Sequence, residues 1–157
     1  MIKVMALGNV LMTDDGIGLK VLKEIEKSVL KVNTSIEVIY GETDFVYCLN
    51  NVCDDDIIII VDGSYFEIKP GTVTVKSLSD CSGEFHKTSS QHQISLVDMI
   101  MDYKNNIEVY FIGIEVAIVD FGASLSDELN HMFEEICNGV LDGIKTIINS
   151  KSGGKNA

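Results

Sequence analysis

Two periods of apolar and polar positions alternate along this chain, and together they predict an ordered series of strands and helices. Ile2 to Leu7 is a short apolar run closed by Gly8, the pattern of a buried strand. After the loop from Gly8 to Asp15, Ile17, Val21, Leu22, Ile25 and Val29 recur at helical spacing, with Lys20, Lys23, Glu24, Glu26 and Lys27 on the opposite face. Ile36 to Tyr40 predicts a second strand ended by Gly41, and Phe45 to Val52 a short helix. Ile57 to Val61 are consecutive β-branched residues between Asp54-Asp55-Asp56 and Asp62-Gly63, and they predict a central strand buried on both faces. Lys69-Pro70-Gly71 signals a turn ahead of a strand over Thr72 to Lys76. Ser77 to Gln91 is polar and irregular, long enough for a functional loop. A helix follows over Leu96 to Met101, then a strand over Ile107 to Ile114. Ser126 is the N-cap of a last helix whose stripe is Leu129, Met132, Phe133, Ile136, Val140, Ile144 and Ile147.

This order predicts an α/β fold: a three-layer α/β/α sandwich around a mainly parallel sheet of about five strands. Residues 1–150 form one domain in this reading, and 151–157 a flexible tail. Ligand sites in such folds lie beyond the carboxyl ends of the strands. That edge gathers the loops Gly8 to Asp15, Gly41 to Asp44, Asp62 to Tyr65 and Glu115 to Leu125.

Composition narrows the chemistry. The chain has 157 residues, 12 lysines and no arginine against 24 acids, for a formal net charge of −12. Nucleic acid and anionic membrane are not its expected partners, since both reward clustered basic residues. Without a guanidinium there is no arginine finger in cis and no bidentate phosphate capture. The amino-terminal apolar run breaks at Gly8-Asn9 and soon meets Asp14-Asp15, unlike a signal peptide. Cys48, Cys53, Cys81 and Cys137 form no C-x-x-C pair, so reduced thiols in a cytoplasmic protein are expected.

Several catalytic motifs are absent: H-E-x-x-H, G-x-S-x-G and the G-x-x-x-x-G-K-[ST] phosphate loop. Gly8, Gly16 and Gly18 do not have dinucleotide-fold spacing, and Asp14-Asp15 stands where a pyrophosphate would approach. The acids carry more promise. Asp14 and Asp15 end the first loop and Asp62 the central strand, so two carboxylates from neighbouring strand ends can converge on one sheet edge; the plainer readings are helix capping for Asp14-Asp15 and an Asx turn for Asp62-Gly63. Asp54-Asp55-Asp56 precedes its strand and reads as a solvated turn. Of the histidines, His131 falls on a helix surface, His86 has no obvious partner in the polar loop, and His92 closes that loop just before a helix. Two carboxylates plus His92 would suit Ni, Zn, Fe or Mn.

At these residues the sequence resembles the NiFe-hydrogenase maturation endopeptidases. Gly8-Asn9-Val10-Leu11-Met12-Thr13-Asp14-Asp15-Gly16-Ile17-Gly18 is similar to the signature G-N-x-L-x-x-D-[DE]-G-x-G. Val61-Asp62 with Lys69-Pro70-Gly71-Thr72 resembles a second block, Ser90 to Leu96 a histidine block, and Phe111 to Glu115 a last strand. The resemblance implies an endopeptidase that removes the C-terminal extension of a hydrogenase large-subunit precursor after nickel insertion. It implies Asp15, Asp62 and His92 as catalytic residues that contact nickel, with Asp15 having the shorter reach of the two acids found there. Asp14 then shapes the loop or stands behind the ligands. Nickel comes with the precursor, no organic cofactor is implied, and a monomer is expected. The nickel reports a loaded precursor, fixes the scissile bond, and is available as a Lewis acid or an activator of water. A non-cleaving nickel checkpoint and a metal-dependent small-molecule hydrolase stand as alternatives. One departure is Val116-Ala117, where the family often carries a proline-containing turn.

Overall fold

Three of the apolar runs become the middle of a sheet. The computed structural model describes residues 1–78 and 91–153, with side chains from Leu96 onward in the second stretch. Its strands are β1 (Ile2–Leu7), β2 (Ile36–Glu42), β3 (Ile57–Ser64), β4 (Val73–Ser77) and β5 (Glu108–Glu115). They lie side by side in the order β2-β1-β3-β5-β4, with only β4 antiparallel to its neighbour. The helices are α1 (Ile17–Leu30), α2 (Phe45–Asn50), α3 (Gln91–Tyr103), α4 (Asp127–His131) and α5 (Phe133–Ser152).

Successive strand side chains point to opposite faces, and this sorts the apolar residues into two cores. Val4, Ala6, Ile59, Val61, Ile112 and Ile114 pack with α1 and α5. Met5, Leu7, Ile58, Ile60, Val109 and Phe111 pack with α2 and α3. The result is the expected three-layer sandwich, with β3 at its centre.

Several element ends differ from expectation. β3 continues past Val61 because β5 stays paired with it, Asp62 opposite Gly113 and Ser64 opposite Glu115. Asp62 is therefore held inside the sheet. β2 passes through Gly41 to Glu42, with a register shift at Ala6/Leu7. α3 begins earlier and ends later than Leu96 to Met101. The last apolar stripe is divided at Met132 between α4 and α5, and α5 runs on to Ser152. Residues 79–90, with Cys81 and His86, and the tail from 154 lie outside the described residues.

The acidic run before β3 is only partly solvated. Asp54 and Asp55 are exposed, but Asp56 is buried, with the amino-terminal ammonium 3.1 Å from its Oδ1 and the Cys53 N–H donating to its Oδ2 at 2.8 Å. A buried carboxylate survives only when so partnered. Asp54 accepts from the Asn105 N–H at 2.9 Å, and Asp55 from the Asn106 side chain at 2.7 Å. The end of α3 thus sits at the amino edge of the sheet. The helix has 13 residues, about 20 Å at roughly 1.5 Å per residue, long enough to reach from there toward the carboxyl edge, with His92 in its first turn.

Candidate active site

Where β1 ends, the chain must turn within contact distance of the next strand, and only one residue type permits it. Gly8 has φ of +127°, and a Cβ there would stand 2.0 Å from the Asp15 carbonyl oxygen and 3.4 Å from Asp62 Oδ1. Gly18 allows the matching approach of helix to strand. Its Cβ would lie 2.6 Å from the Val61 carbonyl oxygen and 3.0 Å from the Asp62 Cα. These two glycines bring the first loop onto the end of β3.

The neighbouring acids then part company. Asp14 is fully buried, and its carboxylate accepts three backbone N–H bonds: Ala117 and Ile118 on Oδ2 at 2.9 Å each, Ser126 on Oδ1 at 2.7 Å. It clasps the loop between β5 and α4. A proline at 117 would lack the N–H that Asp14 binds, so Val116-Ala117 suits this clasp. Thr13, at φ of +44°, is held by the same loop: its N–H donates to the Gly122 carbonyl at 2.8 Å and its Oγ1 to the Ile118 carbonyl at 2.7 Å.

Asp15 points the other way. Its Oδ2 accepts the Asn9 N–H at 2.9 Å, and its Oδ1 accepts the Tyr65 hydroxyl at 2.7 Å. Asp62 is 3% exposed and takes the Gly63 N–H on Oδ1 at 2.7 Å; that is the adjacent residue rather than the one two positions on that an Asx turn would bond, and both residues lie within β3. Asp15 and Asp62 share a cavity of about 260 Å³ with Gly8, Asn9, Met12, Tyr65 and Val119. Two carboxylates beside one opening favour a cation there. Burial holds the Tyr65 phenol protonated far above its usual range, reinforced by the bond to Asp15 and the charges of Asp15, Asp62 and Asp14.

Tyr65 and Glu115 have parts here that periodicity did not reveal. Glu115, 3% exposed, accepts Ser64 Oγ at 2.9 Å and the N–H groups of Phe66 and Glu67 at 3.1 Å each. It anchors the turn that carries Tyr65. A polar residue closing an otherwise apolar strand was the available signal for Glu115. For Tyr65 it was only its place three residues after Asp62.

The structure therefore brings Asp15 and Asp62 together, and it places the backbone of His92 in the first turn of α3. The side chain of His92 lies outside those described. His131 is exposed, its Nδ1 2.6 Å from the Asp127 carbonyl oxygen. Among the described residues no group of three His, Cys, Asp or Glu is assembled as a metal site. The described cysteines Cys48, Cys53 and Cys137 are free thiols.

The sequence model of the HycI family, hydrogenase maturation protease, matches residues 19–143. The chain belongs to the hydrogenase maturation proteases. Asp62 and His92 fall inside the matched stretch, and Asp15 just ahead of it. A protein of Methanocaldococcus jannaschii named as a hydrogenase maturation protease is 31% identical over 150 residues, covering 92% of this chain and 96% of that one. The hydrogenase 2 maturation protease of Escherichia coli is 27% identical over 100 residues, 63% of this chain and 60% of the other. Among solved structures, the hydrogenase maturating endopeptidase HybD of E. coli has a TM-score of 0.74 at 21% identity over 92% of both chains, a likeness of fold. HybD of Thermococcus kodakarensis has a TM-score of 0.68 at 25% identity, over 94% of this chain and 97% of that one. As a maturation protease the chain is a peptide-bond hydrolase, and no described helix is long and apolar enough to cross a membrane.

Proposed function

We propose that this maturation protease removes the C-terminal extension of a NiFe-hydrogenase large-subunit precursor in the cytoplasm, after nickel has been inserted. Asp15, Asp62 and His92 meet the precursor's nickel, which is part of the substrate. The observation that carries this reading is the pairing of the Asp15 and Asp62 carboxylates on one cavity at the carboxyl edge of the sheet. Carboxylate and imidazole donors suit a borderline divalent metal. Asp15 and Asp62 supply negative charge and fix where the metal stops, and His92 comes to the same edge on α3. The scissile bond then lies over the cavity floor, where the metal offers Lewis-acid or water-activating chemistry.

The rim fits a protein substrate better than a small one. Leu11 is 61% exposed, Ile118 52% and Phe121 88%. All belong to the two loops joined by the Thr13–Gly122 and Gly122–Leu11 backbone bonds, and those loops also supply Met12 and Val119 to the cavity wall. Exposed apolar groups concentrated around a cleft mark a contact surface.

The test mixes the protein with nickel-loaded precursor and follows the precursor by mass spectrometry. Loss of a C-terminal peptide is expected, and neither unloaded precursor nor the Asp15→Ala and His92→Ala variants should yield it. A precursor that binds but stays whole would sink the protease reading in favour of a nickel checkpoint. Tight metal retention by the protein alone would point to a small-molecule hydrolase.

A further inference from the structure

We propose that Tyr65 is a positioning residue for Asp15: its hydroxyl locks the carboxylate in the single orientation that faces the cavity, and Glu115 holds the tyrosine ready to do so. The role is built on the reading of Asp15 as a nickel contact.

An aspartate side chain left to itself populates several staggered wells. Asp15 is gripped at both oxygens from two separate parts of the chain, by the Asn9 N–H at 2.9 Å and by the Tyr65 hydroxyl at 2.7 Å. Rotating the side chain breaks one bond or both. Each oxygen keeps a second acceptor direction for a metal. Both donors are neutral, so the charge of Asp15 is not cancelled. The ion pairs of the described residues fall on Asp56, Glu37 and Glu108 instead. A lysine in place of Tyr65 would hold the carboxylate equally well and repel the cation.

The tyrosine is itself held. Ser64 before it and Phe66 and Glu67 after it all bond to the buried Glu115 carboxylate. The Phe66 ring packs edge-on against Phe111, with centroids 6.4 Å apart. With both flanks fixed, the Tyr65 backbone is held where its hydroxyl reaches Asp15 Oδ1 across the end of β3. The order of support runs from Glu115 to the 64–67 turn, to Tyr65, and so to Asp15.

Tyr65→Phe keeps the ring and deletes one oxygen. On nickel-loaded precursor its kcat is expected to fall about 10- to 100-fold, the worth of one hydrogen bond to a charged group, with KM within about twofold. Its crystal structure is expected to show Asp15 in more than one rotamer, with Tm lower by only several degrees, as the loss of one such bond implies. Glu115→Gln, which loosens the turn, is expected to give a smaller kcat loss and the same rotamer disorder. A single, unmoved Asp15 rotamer in Tyr65→Phe overturns the proposal, and so does wild-type kcat alongside a disordered Asp15. Should the wild-type protein leave nickel-loaded precursor uncut, the functional reading fails, while the rotamer measurement still decides what Tyr65 does to Asp15.

Discussion

Asp14 and Asp15 are the same residue type one position apart, yet the fold gives them opposite tasks. Three backbone N–H groups converge on Asp14, which is fully buried, while Asp15 opens onto the cavity. Asp14→Ala would strand those donors, and a loss of about 3 kcal/mol or more in urea unfolding is expected. Asp15→Asn should cost about 1 kcal/mol or less, because its surroundings are half-open. Equal losses for the two would contradict this division of roles. Spacing alone offers a cap and a ligand in this pair without saying which is which, and only the family resemblance implies Asp15 as the ligand and Asp14 as the residue that shapes the loop. What separates them is the loop between β5 and α4, about a hundred residues downstream, and no local spacing encodes that contact. Tyr65 stayed hidden for the same reason: its partner is fifty residues upstream.

Elements were easier to read than residues. The β-branched run Ile57 to Val61 and the helical stripe from Ile17 to Val29 each bury what their periods say they bury. Strand ends were not legible, because pairing with β5 draws Asp62, Gly63 and Ser64 into β3 despite the turn-forming Asp-Gly. The first turn of α3 was missed as well: Gln91, His92 and Gln93 lack the apolar repeat that begins at Leu96. Packing between elements sets the site more tightly than any propensity. Gly18→Ala would push α1 off Val61, whose carbonyl oxygen lies 2.6 Å from the added carbon. A stability loss of about 1–3 kcal/mol is expected, as for other overpacked contacts. The displaced helix should also separate Asp15 from Asp62, so precursor cleavage should fall more than stability alone explains. Full cleavage by a Gly18→Ala protein of normal Tm would refute that coupling.

At the scale of the whole molecule, each of the two cores carries one buried thiol among the described residues, Cys137 on the α1–α5 side and Cys48 on the α2–α3 side. Burial, aided by nearby acids, pushes both from the usual value of 9.0 up to about 11. The fold therefore favours the neutral thiols. Their contribution to stability is complete below the unfolded value and lost as pH rises through about 11. The urea midpoint should accordingly drop over that alkaline window, and less so in a Cys48→Ala, Cys137→Ala protein. Near neutral pH, iodoacetamide should reach the exposed Cys53 first and spare the two core thiols until unfolding; early labelling of Cys48 or Cys137, read by peptide mass spectrometry, would show the cores to be looser than drawn. Legibility was greatest at this scale, since layer order follows from the alternation of periods and needs no single contact to be right. The bare rim of Leu11, Ile118 and Phe121 has a cost of its own, for a surface that water wets poorly also invites a second copy of the chain. Any such meeting would bring together two bodies of net charge −12, which repel over a Debye length of about 8 Å at physiological salt. The acid surplus, silent about the reaction, thus opposes such a meeting as a colloidal brake.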